Sequence, residues 1–240
     1  MTPKTLLKSF DEWRKQEQAL VLASVYETAG STYSKIGARM LINANGDFQG
    51  MLSGGCLEGD LAERAREVIT SGIAQKVSYD LSLKNEDLWG LGIGCDGLMR
   101  IFLQPLLAEN DYAPFEAIAR AYEGDHPEVA AVVLDSDKDD IEPGATLVTV
   151  DDTVELFGLT DDGAKDLLIM AQSALVDNLS STSKIQIGTT KATILFALIK
   201  PRPRLLILGA GLDAEPITRL AAELGWRITV SDHRAPYARS

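Results

Sequence analysis

A chain of 240 residues is long enough for one or two domains with a proper core, and 45% hydrophobic with 24% charged residues is ordinary for a globular protein. Its formal net charge of -12 argues against nucleic acid or an anionic membrane surface as a partner, because both need clustered Lys and Arg. The two cysteines make no disulfide framework, residues 1–13 carry no signal-peptide core, and no apolar run would span a bilayer, so a reducing cytoplasm is the expected location.

The pattern predicts a first helix over about 2–18, then strands over 20–26 and 38–42. Between these strands the chain offers Ser31, Thr32, Lys35 and Arg39. That loop is either a polar hairpin connection with a surface arginine, or a set of hydroxyls and a guanidinium fork for phosphate or carboxylate. Next comes Ser53-Gly54-Gly55-Cys56-Leu57-Glu58, a small-residue turn that delivers a cysteine to the start of a helix. Over 57–69, Leu61, Ala65, Val68 and Ile69 fall on one helical face, and Gly72 is the expected stop.

Unpaired N–H groups at a helix start attract anions and lower the pKa of a thiol placed there. Cys56 therefore reads as a thiolate beside an anion cradle shaped by Ser53, Gly54 and Gly55, or else as a small buried residue in a tight turn. Glu58 belongs to that cradle or is a first-turn acid favoured by the helix dipole. Strands are expected over 76–81 and 99–103, the latter closed by Pro105. Between them, residues 89–97 hold four glycines, Gly94 among them, around the second cysteine, Cys95. Glycines let such a loop approach a ligand closely. His126 and His233 lie far from both cysteines in sequence and neither cysteine belongs to a C-x₂-C pair, so no His/Cys metal cluster is expected.

The second part, about 111–200, resembles a weak copy of the first. Ala131-Val132-Val133, Gly144-Ala145-Thr146-Leu147-Val148 and Gly158-Leu159 follow the order of Ala23-Ser24-Val25, Gly37-Ala38-Arg39-Met40-Leu41-Ile42 and Gly50-Met51. Each copy ends in an apolar strand before a proline, Pro105 or Pro201. Thr160-Asp161-Asp162 stands where the cysteine turn should be, and acids there would repel an anion, so the first copy is expected to hold the site.

Pro201-Arg202-Pro203-Arg204 reads as a stiff charged linker. After it, a strand over 205–208, Gly209-x-Gly211-x-x-Ala214, a helix and a strand over 227–230 ending near Asp232 spell the start of a βαβ dinucleotide fold. Asp213 and Glu215 near the helix start would oppose a pyrophosphate. The sequence ends soon after the second strand, which predicts a shortened Rossmann-like segment with bare apolar surface and hence self-association into a homo-oligomer. The expected fold class is α/β: a two-copy αβ domain over 1–200 (copies 1–110 and 111–200), then an incomplete Rossmann-like βαβ segment over 201–240.

Together these motifs resemble the XdhC/CoxI family, the xanthine dehydrogenase accessory factors. The resemblance rests on Gly30-Ser31-Thr32, Gly37-Ala38-Arg39-Met40-Leu41, Gly54-Gly55-Cys56-Leu57-Glu58, Gly92-Ile93-Gly94-Cys95-Asp96-Gly97 and the carboxy-terminal Gly209-Ala210-Gly211 with Asp232, in matching order. It implies a chaperone rather than a catalyst, one that binds molybdenum cofactor in its molybdopterin form. The chaperone would help equip the cofactor with sulfur, with a cysteine desulfurase as donor, and deliver it to a xanthine dehydrogenase-type molybdenum hydroxylase. On that reading Cys56 is the ligand or sulfur relay and Cys95 its partner. Ser31, Thr32, Arg39, Ser53, Gly54, Gly55, Glu58 and Gly94 contact the cofactor. Two other readings stand beside it: an NAD(P)-dependent oxidoreductase using Gly209, Gly211 and Asp232, and a sulfurtransferase working through a Cys56 persulfide.

Overall fold

The computed structural model describes residues 3–80 and 97–234. Helix α1 (Pro3–Lys15) leads into β1 (Leu20–Gly30), β2 (Arg39–Asn43) and β3 (Phe48–Gln49). Helix α2 (Glu58–Ser71), β4 (Gln75–Asp80) and β5 (Gly97–Leu106) complete an antiparallel sheet of order β3-β2-β1-β5-β4. The chain continues through α3 (Phe115–Glu123), β6 (Glu128–Ser136), β7 (Thr146–Val150), β8 (Thr153–Phe157), α4 (Asp161–Asp177), β9 (Ser181–Ile187) and β10 (Thr190–Ile199). These strands form a second sheet of order β8-β7-β6-β10-β9, the same connectivity strand for strand. The two central pairs even share an irregularity: the register shifts between Val25 and Glu27 where β1 meets β5, and between Thr193 and Ile194 where β10 meets β6.

Alternation along the central strands explains the layering. Leu20 and Leu22 of β1 join Ala130, Val132 and Leu134 of β6 in one core between the sheets, sealed by Phe10 of α1 and Phe115 of α3. Val21, Ala23 and Val25 face the other way, against Leu61, Ala65 and Val68 of α2. Val129, Ala131 and Val133 likewise meet Leu167, Ala171 and Ala174 of α4. Both faces of each central strand are therefore covered, which is why these strands read as unbroken apolar runs rather than as alternating ones. The helix over α2 stops where expected, with Gly72 in the left-handed region donating its N–H to the Val68 carbonyl.

Pro105 does not close β5, contrary to expectation. The strand runs on to Leu106, with Pro105 paired to Val21, because pairing to β4 ends at Leu103 and a missing N–H is tolerated where β5 has become an edge.

After Pro201–Pro203, β11 (Arg204–Leu208), α5 (Ala214–Glu223) and β12 (Arg227–Ser231) form a right-sized βαβ unit with β11 and β12 parallel. It is clasped to the end of α3: Arg202 donates to Glu123 at 3.0 Å, Arg227 to Glu123 at 2.9 Å and to Asp125 at 3.1 Å, and Arg204 also pairs with Asp125. Leu206 and Leu208 of β11 and Leu220 of α5 are exposed. Among the described residues no helix is long and apolar enough to cross a membrane.

Candidate functional site at the cysteine turn

The turn between β3 and α2 is built around one buried carboxylate. Glu58, the first residue of α2, is 1% exposed. Its side chain curls back over the turn: the N–H groups of Leu52 and Ser53 donate to Oε1 at 2.9 Å each, and those of Gly55 and Leu57 to Oε2 at 3.0 and 3.2 Å. The Ser53 hydroxyl donates to Oε2 at 2.5 Å and accepts from the Leu57 N–H at 2.8 Å. Burial alone would raise the Glu58 carboxyl, but the hydrogen bonds from the Ser53 side chain and from the Ser53 and Leu52 backbone outweigh it and hold the group below its ordinary range. The N–H groups of Leu52, Ser53, Gly55 and Leu57 are thus taken by the chain's own anion.

This scaffold leaves Cys56 exposed as a free thiol at the tip of the turn. Gly54 and Gly55 both adopt positive φ, +81° and +110°, which lets the chain reverse there without a side chain in the way. The neighbouring loop is stitched to the turn. The Thr32 hydroxyl donates to the Ser34 carbonyl at 2.8 Å, and the Ser34 hydroxyl to the Met51 carbonyl at 3.2 Å. The ring of Tyr33 lies against Gly54, with Cδ2 3.2 Å from the point where a Cβ would sit. Tyr33 is 60% exposed and Met51 42%. Gly97, where β5 begins, pairs with Gly30, and a Cβ there would fall 2.7 Å from the Ser31 carbonyl oxygen. Ser31, Thr32, Ser53, Gly54, Gly55, Cys56 and Glu58 are therefore gathered at one end of the first sheet. Gly94 and Cys95 lie outside the described residues. The motifs do not single out Tyr33, although an aromatic ring inside a Gly/Ser/Thr loop has no core to enter and is marked on that ground.

Arg39 has other partners. Only 8% exposed, it donates to the carbonyls of Ala197 at 3.2 Å and Leu198 at 3.4 Å and to the Tyr122 hydroxyl at 3.3 Å. Two residues earlier, Gly37 sits so close to Ser180 that a Cβ would fall 2.4 Å from the hydroxyl oxygen. The Gly37-Ala38-Arg39 motif thus fastens the first sheet to β10 of the second. Gln104 of β5 makes the reciprocal tie, donating to the Gly144 carbonyl at 2.8 Å.

At the βαβ unit, Gly209 has φ +123° and open space where a Cβ would stand, whereas a Cβ on Gly211 would meet Asp213 Oδ1 at 2.5 Å. Asp232 accepts from the Ala210 N–H at 2.8 Å and from the Arg234 guanidinium at 2.8 Å. Arg234 first, then the backbone N–H groups of Ala210 and Arg234, hold its carboxyl far below the usual carboxylate range. This acid is occupied by the chain itself.

Comparison with known proteins follows the same line. Residues 13–80, which include the loop and the cysteine turn, match the XdhC and CoxI family. The chain is 29% identical over 225 residues to a probable xanthine dehydrogenase subunit of Bacillus subtilis (strain 168), covering 94% of this chain and 62% of that protein. It is 28% identical over 111 residues to the molybdenum cofactor insertion chaperone PaoD of Escherichia coli (strain K12), covering 44% of this chain and 34% of that one. The crystal structure of a xanthine dehydrogenase from Bacillus halodurans superposes on all of this chain and 65% of its own length, with a TM-score of 0.69 and 26% identity. The chain therefore spans less than two thirds of each of these relatives. In the order of its motifs, in sequence and in fold, this chain is similar to XdhC and CoxI proteins, and residues 13–80 match that family.

Proposed function

We propose that this chain is an accessory protein of a xanthine dehydrogenase-type molybdenum hydroxylase. It binds molybdenum cofactor as cargo and assists the cofactor's sulfuration and insertion, with Cys56 as the sulfur ligand or relay. The observation that carries the proposal is the exposed Cys56 thiol on a turn pinned by Glu58, inside the segment that matches the XdhC and CoxI family. The residues present fit such a cargo: a soft thiolate suits a soft, sulfur-bound metal, and Gly55, with nothing within 4 Å of its Cβ direction, leaves room beside it. Glu58 has taken the N–H groups of Leu52, Ser53, Gly55 and Leu57, so these four are not free for the phosphate of the cofactor.

The rigid turn presents the thiol while its backbone stays fixed. In a relay, the Cys56 thiolate would attack the outer sulfur of a donor persulfide, as on a cysteine desulfurase. A new S–S bond to Cys56 would form as the old one breaks, and the donor thiolate would leave. The name of the Escherichia coli relative supports the insertion role, and that of the Bacillus subtilis relative supports the client class.

The test is capture and release. Purified protein is mixed with freshly released molybdenum cofactor and separated by gel filtration, and bound molybdenum and pterin are assayed. The expected result is stoichiometric retention by the wild type and a sharp loss in Cys56→Ala. Equal retention by both proteins would remove Cys56 from the site, and no retention by the wild type would remove the cargo reading.

A further inference from the structure

We infer that Tyr33 is the platform on which the planar heterocycle of the cargo stacks, so that the site reads its ligand through an aromatic face beside the thiol. This rests on the cofactor-binding reading above and adds a recognition element that no motif of the sequence marks. Three observations carry it.

The first is position. The Tyr33 ring touches the backbone of Gly54, and Cys56 lies two residues further on, at most about 7.6 Å away from Cα to Cα. Gly54 itself explains the closeness: its missing Cβ is what lets the ring rest 3.2 Å from the point that Cβ would fill.

The second is pre-organisation. Tyr33 is flanked by Thr32 and Ser34, both buried and both hydrogen-bonded, one within the loop and the other to the Met51 carbonyl. The ring is thus held by its backbone neighbours and by Gly54 on one side, yet remains 60% exposed. A surface aromatic already ordered before binding loses little entropy on stacking. Met51, 42% exposed and tied to the same loop, adds a polarizable thioether that suits the edge of a conjugated ring.

The third is charge. Glu58 places a buried carboxylate under the turn and takes four of its N–H groups, which weakens the pull of that backbone on an anionic ligand. Stacking on an aromatic ring is a face of recognition that does not depend on charge.

The probe is a free pterin, 6-hydroxymethylpterin, titrated against wild type, Tyr33→Ala, Tyr33→Leu and Tyr33→Phe while the quenching of its own fluorescence is followed. Thermal unfolding of each variant confirms an intact fold. Wild type and Tyr33→Phe should bind within about twofold of one another, and Tyr33→Ala and Tyr33→Leu about tenfold more weakly, the loss typical of removing one stacking partner. Leu keeps the apolar volume without the π-face, so equal binding by Tyr33→Leu and wild type overturns the platform. So does equal binding by Tyr33→Ala, or a Tyr33→Phe as weak as Tyr33→Ala, or a wild type that does not quench the pterin. The two proposals separate cleanly: molybdenum retained without pterin quenching sinks the platform alone, and pterin quenching that depends on Tyr33 without molybdenum retention sinks the cargo reading alone.

Discussion

The Ser53 hydroxyl donates to Glu58 Oε2 at 2.5 Å while accepting from the Leu57 N–H at 2.8 Å, so one hydroxyl links the carboxylate to the start of α2. Around this pair the turn carries its own internal anion, and its shape depends on that anion staying put.

Removing the carboxylate should therefore unfold the turn rather than free it for a ligand. Glu58→Ala leaves three buried N–H donors, of Leu52, Ser53 and Leu57, and the more exposed one of Gly55 without their acceptor. Each such group costs about 1–3 kcal/mol, less whatever water can repair, so a net loss of roughly 3 kcal/mol is expected in urea unfolding at pH 7. Glu58→Gln keeps a carbonyl acceptor and should lose less. A Glu58→Ala protein as stable as wild type, with tighter anion binding, would instead make the N–H groups an available cradle.

Arg39 separates a structural from a ligand-binding role. Its loss strands the Ala197 and Leu198 carbonyls in the joint between the sheets. Arg39→Ala is expected to cost about 2 kcal/mol of stability, while the surviving folded protein retains molybdenum cofactor at the wild-type level. Normal stability with lost retention would return Arg39 to the cofactor.

Gly97 forms the floor under the loop that carries Tyr33. A Cβ there would lie 2.6 Å from the Ala29 carbonyl oxygen and 2.7 Å from that of Ser31, both backbone atoms that cannot swing aside. Gly97→Ala should cost about 1–3 kcal/mol and displace the loop, weakening pterin quenching along with stability. Unchanged unfolding and unchanged quenching would show that β5 can slide to make room.

The clasp on the βαβ unit should be sensitive to pH. Burial alone would raise the Glu123 carboxyl, but hydrogen bonds from Arg227 and then Arg202 hold it below its ordinary range. A carboxyl depressed in the folded state contributes stability above its unfolded value, near pH 4.3, and loses it as pH falls through the folded value. At pH 7 the amides of β11 and β12 should exchange faster in Glu123→Gln than in wild type. The ratio of the two rates should fall towards one as pH drops through the folded value of that carboxyl, as protonation makes the wild type resemble the variant. A ratio that stays constant as pH falls, until the protein itself unfolds, would rule out Glu123 as the clasp.

Much of the first sheet is legible in the sequence. The apolar runs at 20–26 and 38–42 are β1 and β2, and the helical spacing of Leu61, Ala65 and Val68 is the buried face of α2, capped by Gly72. The cysteine turn is legible too, since two glycines before a cysteine and an amphipathic helix can hardly do anything but turn. Pro105 misleads because a proline is harmless where its neighbouring strand is absent, and that depends on where β4 begins, with Gln75 paired to Leu103. No motif singles out Tyr33, because its contact with Gly54 lies in a different loop.

The division has a physical cause. Periodicity, turn glycines and strand-forming runs act through neighbours a few residues apart, so the chain by itself determined its helices, most of its strand positions and the turn that carries Cys56, while the exposure of that cysteine came with the fold. Which polar group meets which was decided only by folding. Glu58 curls back to fill N–H groups of the cysteine turn, and Arg39 reaches from β2 to carbonyls 158 and 159 residues away. Such pairings are set by how two sheets stack, and no local pattern records them.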